Sequence, residues 1–220
     1  MTAIPFRGAT SSACSDRMAR RVTAIGQRPI SALVDITNYV MFDLGRPLHA
    51  YDIDKIHGSE LIVRQADGGE PFAALNEKTY EMEAGMITIG DAEGVDDLAG
   101  VMGGERTGVG DGTTGMFLEI AVFDPISVAT TGRKLNLNSD ARYRFERGLD
   151  SESPVWAAGH IARMVTEICG GEASVPVTMG PGVDWKRSIF LGSGKVESLT
   201  GMKIDTAEQQ RILEALGFTV

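Results

Sequence analysis

The chain of 220 residues holds only two cysteines, Cys14 and Cys169, far apart and without a CxxC or Cys/His cluster around either. That scarcity argues against a disulfide framework and a cysteine-ligated zinc site, and makes a reducing, cytoplasmic setting the default. No apolar run approaches the ~18 residues needed to span a bilayer. The opening MTAIPFRGATSS has neither the basic start nor the long apolar stretch of a signal peptide, and is expected to be a loose leader. Positive charge is also short: a net charge of −9 argues against a protein whose main task is to grip a phosphate backbone, because polyanion affinity comes from clustered Lys and Arg. Two catalytic signatures are missing as well. GVMGGERTGVGDG lacks the GK[ST] ending of a P-loop, and no GxSxG elbow supports a nucleophilic serine.

What is present fits a globular protein, with 43% hydrophobic and 23% charged residues. Charge is unevenly spread. Residues 67–105 hold ten acids and one base, residues 1–28 five Arg and one Asp, and residues 133–147 five bases and two acids. A nucleic acid is therefore expected to approach the ends of the chain and be repelled by its middle.

Periodicity predicts a helix in SDRMARRVTAIG, capped by Ser15 and stopped by Gly26, and a second in LVDITNYVMFDL, where Leu33, Ile36, Val40 and Leu44 form an apolar stripe ended by Gly45 and Pro47. ELIVRQA, MITIG, LAGVM, MFLEIAV and ASVPVTM read as strands, and FAALNEKTYEM as a hairpin turning at Asn76. Further helices are expected after Asp124-Pro125, after Ser153-Pro154, and in DTAEQQRILEALG, where Asp205 and Glu208 have capping-box spacing. The fold expected is α+β, a strand-rich, sandwich-like core flanked by helices, followed by a truncated small α/β segment. Its divisions are 1–27 (leader and first helix), 28–182 (main domain) and 183–220 (part of a following domain).

Several positions carry chemistry. Thr37 lies inside the apolar stripe of the second predicted helix with Asn38 on its flank, and the segment exits through Arg46, Pro47, Leu48 and His49 as a turn. His49, Asp52, Asp54 and His57 have metal-ligating side chains, but nothing in their spacing fixes a geometry, so no metal is expected. Gly103 and Gly104 let the backbone approach either a neighbouring strand or a ligand. In MFLEIAVF, alternation sets Glu119 in a strand apolar on both faces. A buried carboxylate must be paired or serve a ligand, so Glu119 meets either an arginine (Arg28, Arg142 or Arg144) or a substrate hydroxyl.

Four blocks, RPISALVDITNYVMFDLGRPLHAYD, LAGVMGGE, FLEIAVFDP and SDARYRFERGLD, in this order and at these separations, resemble the β subunit of bacterial phenylalanyl-tRNA synthetases over about residues 25–180, the B3/B4 editing domain. Residues 184–220, with KVESLTGMKI, resemble the start of the B5 domain that follows it. The resemblance implies hydrolysis of the ester joining tyrosine to the phenylalanine tRNA. An apolar synthetic pocket cannot strongly reject an analogue that merely adds a hydroxyl, so a second site must recognise that hydroxyl and destroy the product. By the same matching Glu119 meets the tyrosine hydroxyl, Arg28 and His49 serve the tRNA terminus and the reacting ester or its water, Thr37 and Asn38 form a polar lining, Ser139 adds to the pocket wall, and Gly103 and Ala141 leave room. It implies no covalent intermediate and no metal. ATP and magnesium, the alpha subunit and aminoacylation belong to other parts of the parent enzyme.

Two positions depart from the family pattern. Ser139 stands where some members carry Thr, and Arg142 where a small Ser is usual, a change expected to alter tRNA approach. Two other readings compete with editing. A non-catalytic structural or tRNA-binding module would retain the fold without the chemistry, and a metal-dependent hydrolase would need stoichiometric metal.

Overall fold

A computed structural model describes residues 1–11 and 15–220; Cys14 lies outside the described residues. The elements in chain order are β1 (Thr2–Arg7), α1 (Asp16–Ala24), α2 (Ala32–Asp43), β2 (His49–Asp52), β3 (Ile62–Gln65), β4 (Pro71–Ala74), β5 (Lys78–Glu81), β6 (Ile87–Gly90), β7 (Val95–Leu98), β8 (Met102–Gly103), β9 (Gly115–Ile120), α3 (Pro125–Lys134), α4 (Asp140–Phe145), α5 (Ser153–Cys169), β10 (Glu172–Ala173), β11 (Val177–Thr178), α6 (Lys195–Thr200) and α7 (Thr206–Ala215). The protein is mixed α and β, with antiparallel sheets and no barrel among the described residues. No helix in them is long and apolar enough to cross a membrane. The chain divides into two compact units, Met1–Gly182 and Val183–Val220, the second holding α6 and α7.

The first sheet runs β10-β1-β9-β2, with β11 also paired to β1. Residues 2–7 are thus not a loose leader: they form an interior strand, antiparallel to β9 along their whole length, with Ile4 and Phe6 fully buried. Alternation explains the face they cover. Ile4, Phe6, Met116, Leu118 and Ile120 point one way and form a core with Met18 and Val22 of α1, Leu33, Ile36 and Val40 of α2, and Ala157, Ile161 and Val165 of α5. The opposite face carries His49, Tyr51, Phe117 and Glu119, set by the pairs His49↔Glu119 and Tyr51↔Phe117 between β2 and β9.

A second sheet, β3-β6-β7-β8, and the hairpin β4-β5 complete the strands. Their apolar side chains, Phe72, Ala74, Met82, Val95 and Leu98 among them, make another core with Val128 of α3 and Phe145 of α4. The hairpin turns as expected near Asn76, with Glu77 at φ 62°.

Local signals that held did so through caps. Ser15 accepts from the Met18 N–H at 3.4 Å, and Asp124 accepts from the Ser127 N–H at 2.7 Å. Others did not. LAGVM is not a strand: β7 ends at Leu98, and Ala99–Val101 turn through Gly100, φ 71°, into β8. ASVPVTM is broken into β10 and β11 around Ser174–Pro176. Ser153 is the first helical residue of α5 rather than its cap, and its hydroxyl donates to the Asp150 carbonyl at 2.6 Å. Asp205 is the N-cap of α7 but makes no side-chain cap bond, while Glu208 pairs with Arg211 at 2.7 Å instead of closing a capping box. SDARYRF, which carried no predicted element, opens α4.

Candidate functional site

The polar face of the first sheet borders a cavity of about 410 Å³ where β2, β9, α2, the β7–β8 turn and the start of α4 converge. Of the eight positions singled out in the sequence, seven line it: Thr37, Asn38, His49, Gly103, Glu119, Ser139 and Ala141. Arg28 does not. It is exposed in the segment between α1 and α2, and its neighbour Gln27 faces the cavity instead, its amide donating to Asp140 Oδ2 at 3.4 Å.

His49 opens β2 rather than ending a turn, and its position opposite Glu119 follows from sheet geometry: directly paired residues on antiparallel strands project to the same side. The two are therefore neighbours on one wall, not residues facing each other across the site. Tyr51, two residues on and on the same face, packs its ring edge-on against the imidazole with centroids 4.5 Å apart. Gly103 closes the other side of that ring. A Cβ at Gly103 would run into His49 Cε1 and come within 2.9 Å of Nδ1, so the absent side chain makes room for His49 itself. Gly104 meets the other sequence alternative: a Cβ there would lie 2.5 Å from the Asp96 carbonyl of the adjacent strand.

The Glu119 carboxylate, 4% exposed, accepts from the Tyr51 hydroxyl at 2.9 Å, which is its only protein hydrogen bond among the described residues. Its partner is thus none of the three arginines considered. Arg142 is locked against α3 and the preceding loop, donating to the Leu137 carbonyl at 2.5 Å, to Asn138 at 2.9 Å and to Glu146 at 3.0 Å. Arg144 returns to Asp140 at 3.4 Å and stacks over Phe42. Bonded in this way, Arg142 is not a cavity-lining group, and the expectation that it alters ligand approach finds no contact to act through.

The largest opposite charge acting on Glu119 is that of Arg46, which the sequence marked only as part of the exit from the second helix, with no role of its own. Arg46 is 1% exposed, donates to the Ser153 hydroxyl at 3.0 Å and lies over the Phe145 ring. Burial holds its guanidinium down to about 10, against the attraction of Glu119 and Asp150. Burial dominates at Glu119 too, pushing its pKa up to about 7 despite the opposing pull of the Tyr51 hydrogen bond and Arg46. Asp97, also lining the cavity, is raised well above the usual carboxylate range by burial and then by Glu119 and Asp96. Burial presses the His49 imidazole down to about 4, so it is neutral at pH 7. Its Nε2 has no hydrogen-bond partner and lies 4.0 Å from Asp97 Oδ2.

Ser139 caps α4. Its hydroxyl oxygen accepts from the Arg142 N–H at 2.9 Å, and its hydrogen goes to the Val101 carbonyl at 2.6 Å, tying α4 to the β7–β8 turn. Thr37 is spent locally, donating to the Val34 carbonyl at 2.8 Å. The apolar part of the wall comes from Val34, Met41, Leu48, Val101, Phe123 and Phe145.

The four side chains with metal-ligating chemistry separate. His49 faces the cavity; Asp52 accepts from Thr113 at 2.7 Å; the Asp54 N–H caps back onto Asp52 at 3.1 Å; and His57 lies beside Asp91 and Glu93. Tyr51 had a legible signal, since alternation from His49 puts it on the same face of HAYD, whereas Asp97 lies in VDDL, where all four positions are buried and alternation marks none of them. Arg46, in a turn, had none.

An apolar slot with a buried carboxylate and a neutral imidazole on one wall defines a site for a small amphiphilic group. A family model described as the B3/4 domain matches residues 2–170, and the chain belongs to that family. It is 47% identical over 215 residues to the phenylalanine-tRNA ligase beta subunit of Paramagnetospirillum magneticum, covering 98% of this chain and 27% of that protein. To the beta subunit of Rhodospirillum rubrum it is 46% identical over 215 residues, with 98% and 27% covered, and to that of Ruegeria pomeroyi 48% over 198 residues, with 90% and 25% covered. The chain thus spans about a quarter of the length of the curated relatives it matches.

Proposed function

We propose that the cavity is an editing site which hydrolyses tyrosine from the 3′ end of the phenylalanine tRNA. The observation that carries this reading is Glu119, a carboxylate buried at the wall of a mostly apolar slot and given a single protein hydrogen bond among the described residues. Phenylalanine offers it nothing, whereas the tyrosine hydroxyl donates a charge-assisted bond. The slot volume of about 410 Å³ suits an aromatic amino acid with part of its ribose.

In this reading the ester carbonyl lies near His49. Water attacks the carbonyl carbon, the bond to the ribose oxygen breaks, and the proton passes to that oxygen. His49, neutral and with Nε2 unpartnered, holds the water as an acceptor; an imidazole pressed to about 4 is a weak base, so positioning is its main contribution. Thr37, Asn38 and Ser139 form the polar rim, and Gly103 and Ala141 keep the walls open. Arg28, exposed and outside the cavity lining, serves the tRNA end outside the slot. As part of a phenylalanine-tRNA ligase in the cytoplasm, the domain acts beside an alpha subunit, and the parent enzyme uses ATP and magnesium for charging elsewhere.

The test is deacylation of tyrosyl-tRNA(Phe) by the parent ligase with and without Glu119→Ala. Loss of at least about tenfold in kcat/KM is expected. Hydrolysis of tyrosyl-tRNA at the wild-type rate by the variant would remove Glu119 from the site, and the same rate in a His49→Ala variant as well would leave a non-catalytic module.

A further inference from the structure

Tyr51 does not line the cavity, yet it touches both groups on which the proposed chemistry depends. Its hydroxyl donates to Glu119 Oε2 at 2.9 Å, its ring meets His49 edge-on, and it is itself fully buried. Its place is fixed by the sheet: Tyr51 is paired with Phe117, one step along the same face from the His49↔Glu119 pair. A carboxylate on a flexible two-carbon stem rotates freely unless one oxygen is held. Here one oxygen is held by a side chain that has no other ligand to serve.

We propose that Tyr51 is a positioning residue for substrate selection: it fixes Glu119 through Oε2 so that Oε1 is presented to the hydroxyl of the bound aromatic side chain. The proposal rests on the editing reading of the cavity. It gives Tyr51 two effects. One is geometric, since a fixed acceptor rewards only a hydroxyl at the para position. The other is on charge, since a donor to the carboxylate favours its ionised form. The other titratable or charged groups facing Glu119 are Arg46 from the turn before β2, His49 on β2, Asp97 on β7 and the Met1 amino group beside β1. Burial opposes ionisation and Asp97 adds to that opposition when charged, while Arg46, the amino group and Tyr51 favour it.

The test uses this chain and two non-hydrolysable probes, 3′-(L-tyrosylamino)-3′-deoxyadenosine and its phenylalanyl counterpart. Binding of both is measured by calorimetry between pH 6 and 9, and the Glu119 carboxyl is titrated by carbon-13 NMR. In Tyr51→Phe the Glu119 midpoint is expected to rise by a factor of about ten in proton affinity. Preference for the tyrosyl probe should then fall at least about fivefold at pH 7 and recover only in part at pH 9, the remainder being the loss of the fixed acceptor. Placing 3-fluorotyrosine at position 51 leaves the ring packing intact and strengthens the donor, so it should move the midpoint downward and raise the preference at pH 7. In a Glu119→Gln background, Tyr51→Phe should change the preference no further. An unmoved Glu119 midpoint, or equal loss of both probes at every pH, would overturn the assignment of Tyr51. Absence of any tyrosyl preference in the wild type would instead overturn the editing reading, and that result is separate because the NMR midpoint does not depend on it.

Discussion

Glu119 and His49 illustrate how one environment drives two residues to opposite ends of their range. Burial disfavours the charged form of both, raising the proton affinity of the carboxyl to a midpoint of about 7 and lowering that of the imidazole to about 4. The consequences for stability have opposite signs. Glu119 binds its proton more tightly folded than unfolded, so between about pH 4.5 and 7 the native state holds more protons and stability falls as pH rises; Asp97 acts in the same direction. His49 holds fewer protons in the native state between about pH 4 and 6.5, so its contribution rises with pH across that window and is complete above it. Replacing Glu119 by Gln removes the first slope. Urea unfolding should show the variant gaining about 3 kcal/mol on wild type in going from pH 4 to pH 8, and a difference independent of pH would contradict the burial of an ionisable Glu119.

Among the elements, α4 has the most influence for its length. It contributes Ala141 to the cavity and Phe145 to the second core, and its N-terminus hangs on the Ser139 hydroxyl, which both caps it and grips Val101. Ser139→Ala removes both bonds and should cost about 1–2 kcal/mol. Ser139→Thr, which keeps the hydroxyl, should cost less; thermal unfolding of the two variants gives the comparison. This element also marks a limit of sequence reading. DARYRF is six residues of helix in a polar, arginine-dense stretch with no apolar stripe, so periodicity has nothing to detect, whereas α1, α2 and α5 announce themselves through the faces they bury. LAGVM fails for the complementary reason: its apolar residues fill two cores from a turn, and a glycine at positive φ bends it where a strand was expected. The mixed α and β class was legible from the elements themselves, whereas most positions on the cavity wall were reached only by matching four short blocks to a family. The alternation that exposed Glu119 also set it beside His49 once strand pairing was known, while Arg46 was invisible because its partner Ser153 lies 107 residues away.

For the molecule as a whole, β1 decides whether the first unit holds together. Ile4 and Phe6 are fully buried, and β1 alone joins β9 to β10 and β11. Deleting residues 1–7 removes two core side chains worth about 1.5–3 kcal/mol each and leaves an edge bare on each of β9, β10 and β11. Such a variant should lose cooperative unfolding by circular dichroism and bind a hydrophobic dye; a sharp transition near the wild-type midpoint would show β1 to be dispensable. That this strand read as a leader is understandable, since six residues containing a proline carry little periodic signal and the strand they pair with in the sheet interior lies more than a hundred residues downstream.

The pairing of β1 with β11 has a consequence for architecture. β11 lies antiparallel beside β1 through the pairs Thr2↔Thr178 and Ala3↔Val177, so segments from distant stretches of the chain share one patch of sheet. The patch works as a clasp: it closes the first unit on itself, and a pull on β11 is borne by the ladder it shares with β1.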